Sequence, residues 1–163
     1  MAILYRAPSG VPGDITRASE TTVEAAYFDQ AKVSSAFGVA VKLVAGKLTA
    51  IEEGDSGIKI FGVLARHAPA ISGPVDGSPN PKALQSVVTE GYINVLCKIG
   101  TPVRGGKVYV CRTANLPTIG LGEFSATLTA NVQEVSGYSW AVDGLDESKN
   151  AEIKVSFNNT LVA

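Results

Sequence analysis

The sequence predicts an all-β protein: a single jelly-roll-like or Greek-key barrel or sandwich with an extended N-terminal arm. Three observations carry this expectation. Glycine occurs 17 times and proline 8 times in 163 residues, and short β-branched runs lie between these punctuating residues. Residues 87–99 alternate strictly: Val87, Thr89, Gly91, Ile93, Val95, Cys97 and Ile99 fall on one, mostly apolar face, and mixed residues fall on the other, as a half-buried strand requires. Helix is plausible only in short pieces.

Taken in order, residues 1–36 lack clean periodicity and turn early, at Pro8, Gly10, Pro12 and Gly13, which suggests the arm. Within it, 18–36 contains helix formers, but Thr21-Thr22 and the aromatics Tyr27 and Phe28 fit an extended segment equally well. Residues 37–163 hold the strands of the barrel domain. "VAVKLVAGKLTAI" (39–51) reads strand, turn at Ala45-Gly46, strand. "GIKIFGVLARH" (57–67) reads as a strand with a bulge at Gly62. Residues 71–86, with three prolines and two glycines, read as a surface loop. Further strands are expected at 107–112, 124–135 and 151–158, the last with Ile153, Val155 and Phe157 in register.

"GTPVRGGKV" (100–108) ends like a phosphate-binding loop, which needs G-x-x-x-x-G-K-[ST] before a helix. Val108 replaces the hydroxyl residue, and the strand "VYVC" follows, so no helix N-terminus faces a phosphate. The stretch is expected to be a hairpin connection with Gly105-Gly106 supplying positive φ and Arg104 at its tip. With that turn between them, Cys97 and Cys111 should be near neighbours on adjacent strands, both reduced.

Composition narrows the function. Lys plus Arg is 14 against 15 acids, a net charge of −1, which gives no general attraction to nucleic acid or an anionic membrane. No window has the 18 or more continuous apolar residues of a membrane helix. The start lacks the basic and apolar regions of a secretory signal, so a cytosolic site of synthesis is expected. Two cysteines and one histidine cannot make a four-ligand zinc site.

No catalytic constellation emerges. "GDSG" (54–57) matches a serine-protease core, but the one histidine, His67, follows Ser56 in the chain, and the length is too short for two barrels. A polar turn between strands is the simpler reading. The acids are scattered, and nothing selects a pair for glycoside chemistry. "DGLDESKN" (143–150) lacks the alternating pattern of a calcium loop. Tyr138 and Trp140 in "SGYSWAVDG" are more simply a buried pair than a sugar platform. Neither a metal nor a cofactor nor a small-molecule substrate is expected.

The order of these pieces resembles a bacteriophage structural cement, or capsid decoration, protein. The likeness runs through "VPGDITR" (11–17), "FGVAVKL" (37–43), "GDSGIKIFGVLARHAP" (54–69), "EGYINVLC" (90–97), "TPVRGGKVYV" (101–110) and "EIKVSFN" (152–158). The 71–86 loop is longer and richer in proline than the family pattern. The resemblance implies a non-enzymatic virion component, made in the host bacterial cytoplasm, on the outer surface of an assembled head. Its partners would be the major capsid protein and copies of itself, as a dimer or trimer, with no nucleic acid and no membrane. On that basis the arm would lie along a neighbouring subunit, adding a strand to a sheet edge. Tyr5, Ile15, Tyr27 and Phe28 would be its apolar anchors, Arg6 and Arg17 would pair with acids, and Arg104 would be a further contact. The rival expectation is a carbohydrate- or receptor-binding β module of a phage particle, stacking ligands on Tyr92, Tyr138 and Trp140.

Overall fold

A computed structural model describes residues 10–66 and 78–162. After a 3-10 turn at Ala18–Glu20 come ten strands: β1 (Thr22–Tyr27), β2 (Ala40–Val44), β3 (Lys47–Ala50), β4 (Gly62–Ala65), β5 (Leu84–Ile99), β6 (Lys107–Cys111), β7 (Phe124–Ser125), β8 (Val132–Trp140), β9 (Asn150–Val155) and β10 (Thr160–Leu161). Pairing is antiparallel throughout, except that β5 and β7 run parallel. The all-β expectation holds.

The strands do not form a closed barrel, one of the two architectures, barrel or sandwich, that the sequence suggests. The sheet branches at β5, which pairs with β1 and β4 through its first half and with β9 and β7 through its second. Two main cores follow from this, beside a small cluster around Cys111, Ile119 and Val132. The larger is built on Ile93, Val95, Val108, Val110, Phe124, Val135, Trp140, Ile153 and Val155. The smaller joins Phe28, Val41, Leu48, Leu64 and Val87.

The bend in β5 explains why its alternation is not uniform. Val87 belongs to the smaller core, but Val88 packs in the larger one with Ile93 and Val95, so the inward parity changes between 88 and 93. The change coincides with an irregularity in the β1–β5 register, where Thr22 pairs with Glu90 and Val23 with Val88. Gly91 sits at the bend with φ 119°. A Cβ there would lie 2.5 Å from both Glu20 O and Thr21 Cα. The glycine lets residues 20–21 cross directly over the strand.

Several boundaries differ from expectation. The strand expected over 57–67 is confined to β4, and Gly62 is no bulge: β4 keeps its register with β2 and β5. Gly62 is small because any Cβ would overlap Val88 O. The 71–86 loop is shorter than expected, since Leu84–Ser86 already belong to β5, and its residues 71–77 lie outside the described ones, as does His67. The 124–135 strand is two elements, β7 and β8, with a turn between them. Phe157 leaves the register of Ile153 and Val155; it is exposed, with the Lys59 ammonium 4.2 Å from its ring centre. The strand–turn–strand at 39–51 is as expected, with Ala45 and Gly46 both at positive φ (50° and 79°), the pattern that matches strand twist in a two-residue hairpin.

The 1–36 arm is corrected over residues 10–36, which lie on this chain's own sheet. Ile15 bridges Ile93, β1 pairs with β5, and Phe28 is 2% exposed in the smaller core. Of the apolar side chains that suggested a contact arm, Ile15 and Phe28 are used to close the fold itself.

The hairpin between β5 and β6 is also corrected. These strands do not pair; β7 lies between them, with Phe124 opposite both Cys97 and Val110. Cys97 and Cys111 are therefore not neighbours. Both are buried free thiols in separate apolar clusters, and burial pushes both thiols up from the ordinary range. The two-residue β7 buries both of its residues, but it is too short to show a period in the sequence.

"GDSG" is a structural turn. The Asp55 carboxylate accepts from the Glu52 amide at 2.8 Å and from Lys42 Nζ at 2.8 Å. Lys42 Nζ also meets Glu52 at 2.7 Å, and Lys32 Nζ meets the other Glu52 oxygen at 2.6 Å. Burial alone would lower the Lys42 ammonium, but its hydrogen bonds to Asp55 and Glu52 outweigh that and hold it above its ordinary value. The Glu52 carboxyl is held down at about 2, first by Lys32 and then by Lys42.

Two outcomes follow for stability. Gly91→Ala should lower the unfolding free energy by about 3 kcal/mol, read by urea denaturation; a loss under about 0.5 kcal/mol would show that the crossing can yield. Because the Glu52 carboxyl falls from 4.5 to about 2 on folding, its contribution is complete above 4.5 and is lost as pH drops through 2. Glu52→Gln should thus melt below the wild type at pH 7, the gap closing between pH 4.5 and pH 2. A gap that persists at pH 2 would contradict this account.

Candidate functional site

The site begins with a row of outward-facing residues across three strands. In a strand successive side chains alternate, so the inward Ile93 and Ile153 leave Tyr92 and Lys154 on the opposite face. Register then places Tyr92 of β5 opposite Lys154 of β9, and Lys154 opposite Ser139 of β8. One step along, Asn94 faces Glu152.

Arg17 lies across this row. Its Nε and Nη2 donate to the two Glu152 carboxylate oxygens at 3.2 and 3.0 Å, a bidentate geometry that fixes the guanidinium plane. Thr16 Oγ1 donates to the same carboxylate. The guanidinium sits 4.0 Å from the centre of the Tyr92 ring, and Lys154 Nζ approaches it at 5.9 Å, a cation–π arrangement. Glu20 is 3.9 Å from Arg17. The hydrogen bond to Glu152 raises the Arg17 guanidinium above its ordinary value.

The 100–106 connection forms the far wall. Gly105 takes φ 76°, and the Gly106 amide donates to Val103 O at 2.8 Å, closing a turn with the left-handed residue in its third position. Gly106 itself is not left-handed; it is needed because a Cβ there would come within 2.7 Å of Val103 O. The turn is bound to the end of β8: the Gly105 amide donates to Trp140 O at 2.7 Å and the Trp140 amide to Gly106 O at 3.1 Å. The Arg104 amide donates to Asp143 Oδ1 at 2.8 Å.

Together these parts enclose an open pocket of about 220 Å³ lined by Arg17, Tyr92, Arg104, Ser139, Trp140 and Lys154, among others. Arg17 is neutralised by Glu152. Arg104 and Lys154 have no carboxylate within ion-pair distance among the described residues. The pocket is thus a local concentration of positive charge on a chain whose net charge is −1.

The sequence-predicted residues separate into groups. Arg17 and Arg104 come together in this pocket although 87 positions apart. Ile15 packs against the larger core and Phe28 within the smaller. Tyr27 is 56% exposed, opposite the exposed Leu84 in the β1–β5 ladder, on a strand whose other edge pairs with no strand among the described residues. Tyr5 and Arg6 lie outside the described residues. The aromatic platform does not form: Tyr138 and Trp140 are buried, Trp140 Nε1 donates to Lys107 O at 2.9 Å, and Arg17 covers Tyr92. Lys154 was not anticipated. Alternation in "AEIKVSF" points it outward, but only the register reveals its neighbours. Among the described residues, no three His, Cys, Asp or Glu side chains group to hold a metal ion.

Comparison with known proteins gives a family from one match and a fold from another. A family model described as structural cement protein (E217 gp24/Pam3 gp6) matches residues 3–158. Among solved structures, the chain is similar to one from the capsid of Myoviridae phage XM1, with a TM-score of 0.72 and 17% identity over 95% of each chain; at that identity the likeness speaks for the fold. No curated protein matches. With nearly its whole length matched, the chain belongs to the phage structural cement protein family.

Proposed function

We propose that this protein binds the outer surface of an assembled icosahedral phage head and ties neighbouring major capsid protein subunits together, stabilising the shell. The observation that carries this reading is the family match over residues 3–158. The protein does no catalysis and takes no cofactor in this role; it is made in the host bacterial cytoplasm and joins the head there, as a dimer or trimer.

The surface suits a tie because it offers two unlike contacts. At the start of β5 an apolar rim is formed by Tyr27 and Leu84, paired across the ladder and both exposed. Eight residues along the same strand, roughly 25 Å at strand rise, lies the cationic pocket around Tyr92. A single contact decorates; a tie needs two that face different neighbours. The N-terminal segment with Tyr5 and Arg6 supplies a third contact in this reading. Each contact need only be modest, since many copies on one shell act together.

The experiment compares heads lacking the protein with heads to which it has been added back. Added protein should co-sediment with the heads and raise the temperature at which they rupture, with electron microscopy showing it on the outer surface. Heads that take up none of it, or rupture at the same temperature when decorated, would refute the proposal.

A further inference from the structure

We infer that the pocket between Arg104 and Lys154 receives a carboxylate side chain, an aspartate or glutamate on an exposed segment of the capsid subunit. The inference rests on the cement reading for the identity of the partner, and on the pocket itself for the chemistry.

Three features select a carboxylate. The first is unspent charge. Arg17, Lys32, Lys42, Lys98 and Lys107 each face a carboxylate of this chain; of the described cations outside these ion pairs, Arg104 and Lys154 line one concavity together. The second is size. At about 220 Å³ the space is below the roughly 300–1,000 Å³ of small-molecule sites, and it admits a single acidic side chain with its hydrating water. The third is pre-organisation. Main-chain hydrogen bonds to Trp140 fix the turn that carries Arg104, and β9 fixes Lys154 between Tyr92 and Ser139. The backbone beneath both cations is therefore fixed, which limits the ordering cost of binding to the two side chains themselves.

The surrounding charges argue against a nucleic acid here. Glu152 and Glu20 stand beside Arg17, and Asp143 holds the Arg104 amide. A polyphosphate passing through the site would bring several charges against these carboxylates, whereas one acidic side chain brings a single charge. Backbone binding also needs a stripe of cations tracking successive phosphates, and this site is a single cup.

The test uses the full chain and heads that lack it. Wild type, Arg104→Glu, Lys154→Glu and the double variant are titrated onto heads, with Lys47→Glu, at the exposed start of β3, as a charge control; circular dichroism checks that each is folded. The double variant should bind about tenfold more weakly or worse, with Lys47→Glu at wild-type affinity. A double variant that binds as tightly as the wild type overturns the inference while leaving the cement reading intact. If the wild type itself does not bind, the cement reading fails, and the pocket is decided by NMR titration of the free protein with a tetraglutamate peptide. Shifts confined to Tyr92, Gly105, Ser139 and Lys154, absent in the double variant, uphold it. No shifts there, or shifts only with a DNA oligonucleotide of matched charge, sink it.

Discussion

The fold hangs on one strand. β5 is 16 residues long and supplies a ladder edge to β1, β4, β7 and β9, so both cores are assembled against it. It can serve both because it bends at Gly91, where no side chain obstructs the crossing of Glu20 and Thr21. Without that bend, Val88 and Ile93 would point to opposite faces and one core would lose its floor. The functional surface depends on the same point: Tyr92 immediately follows the bend, and Arg17 is carried to it by the segment that crosses there.

This geometry explains how much could be read from the sequence. The all-β class was legible because glycine and proline punctuate short β-branched runs, and the Ala45-Gly46 hairpin because its signal is local. The phase change inside β5 was hidden, since Val87 and Val88 are equally apolar and only the pairing tells which core each enters. β7 was hidden for a different reason: two residues cannot show a period, yet they separate β5 from β6 and hold Cys97 and Cys111 apart. The site was half legible. Arg17 and Arg104 stood out as charged residues in extended or turn segments, but their meeting is a product of the Tyr92–Lys154–Ser139 register, which no local pattern encodes.

The charged residues fall into two physical classes. Lys42, Glu52, Asp55 and Lys32 form a network that ties β2 to the turn after β3, with each charge answered inside the chain. The pocket around Arg104 and Lys154 is the opposite case, with positive charge gathered and only partly answered. A net charge near zero conceals both. For a member of the structural cement protein family, the distribution is more informative than the sum: answered charges hold the protein together, and unanswered ones are available to hold something else.

The turn at 103–106 has a consequence for how such a protein changes over time. Its shape is set by Gly105, by main-chain bonds to Val103 and Trp140, and by Asp143 on the Arg104 amide. The Arg104 side chain takes no part in any of these. Position 104 can therefore exchange charge, length or polarity while the loop keeps its course, and the same holds for the outward-facing Lys154 on its strand. Adhesive preference can drift with a changing shell while the scaffold stays fixed, so specificity and foldability are inherited on separate residues.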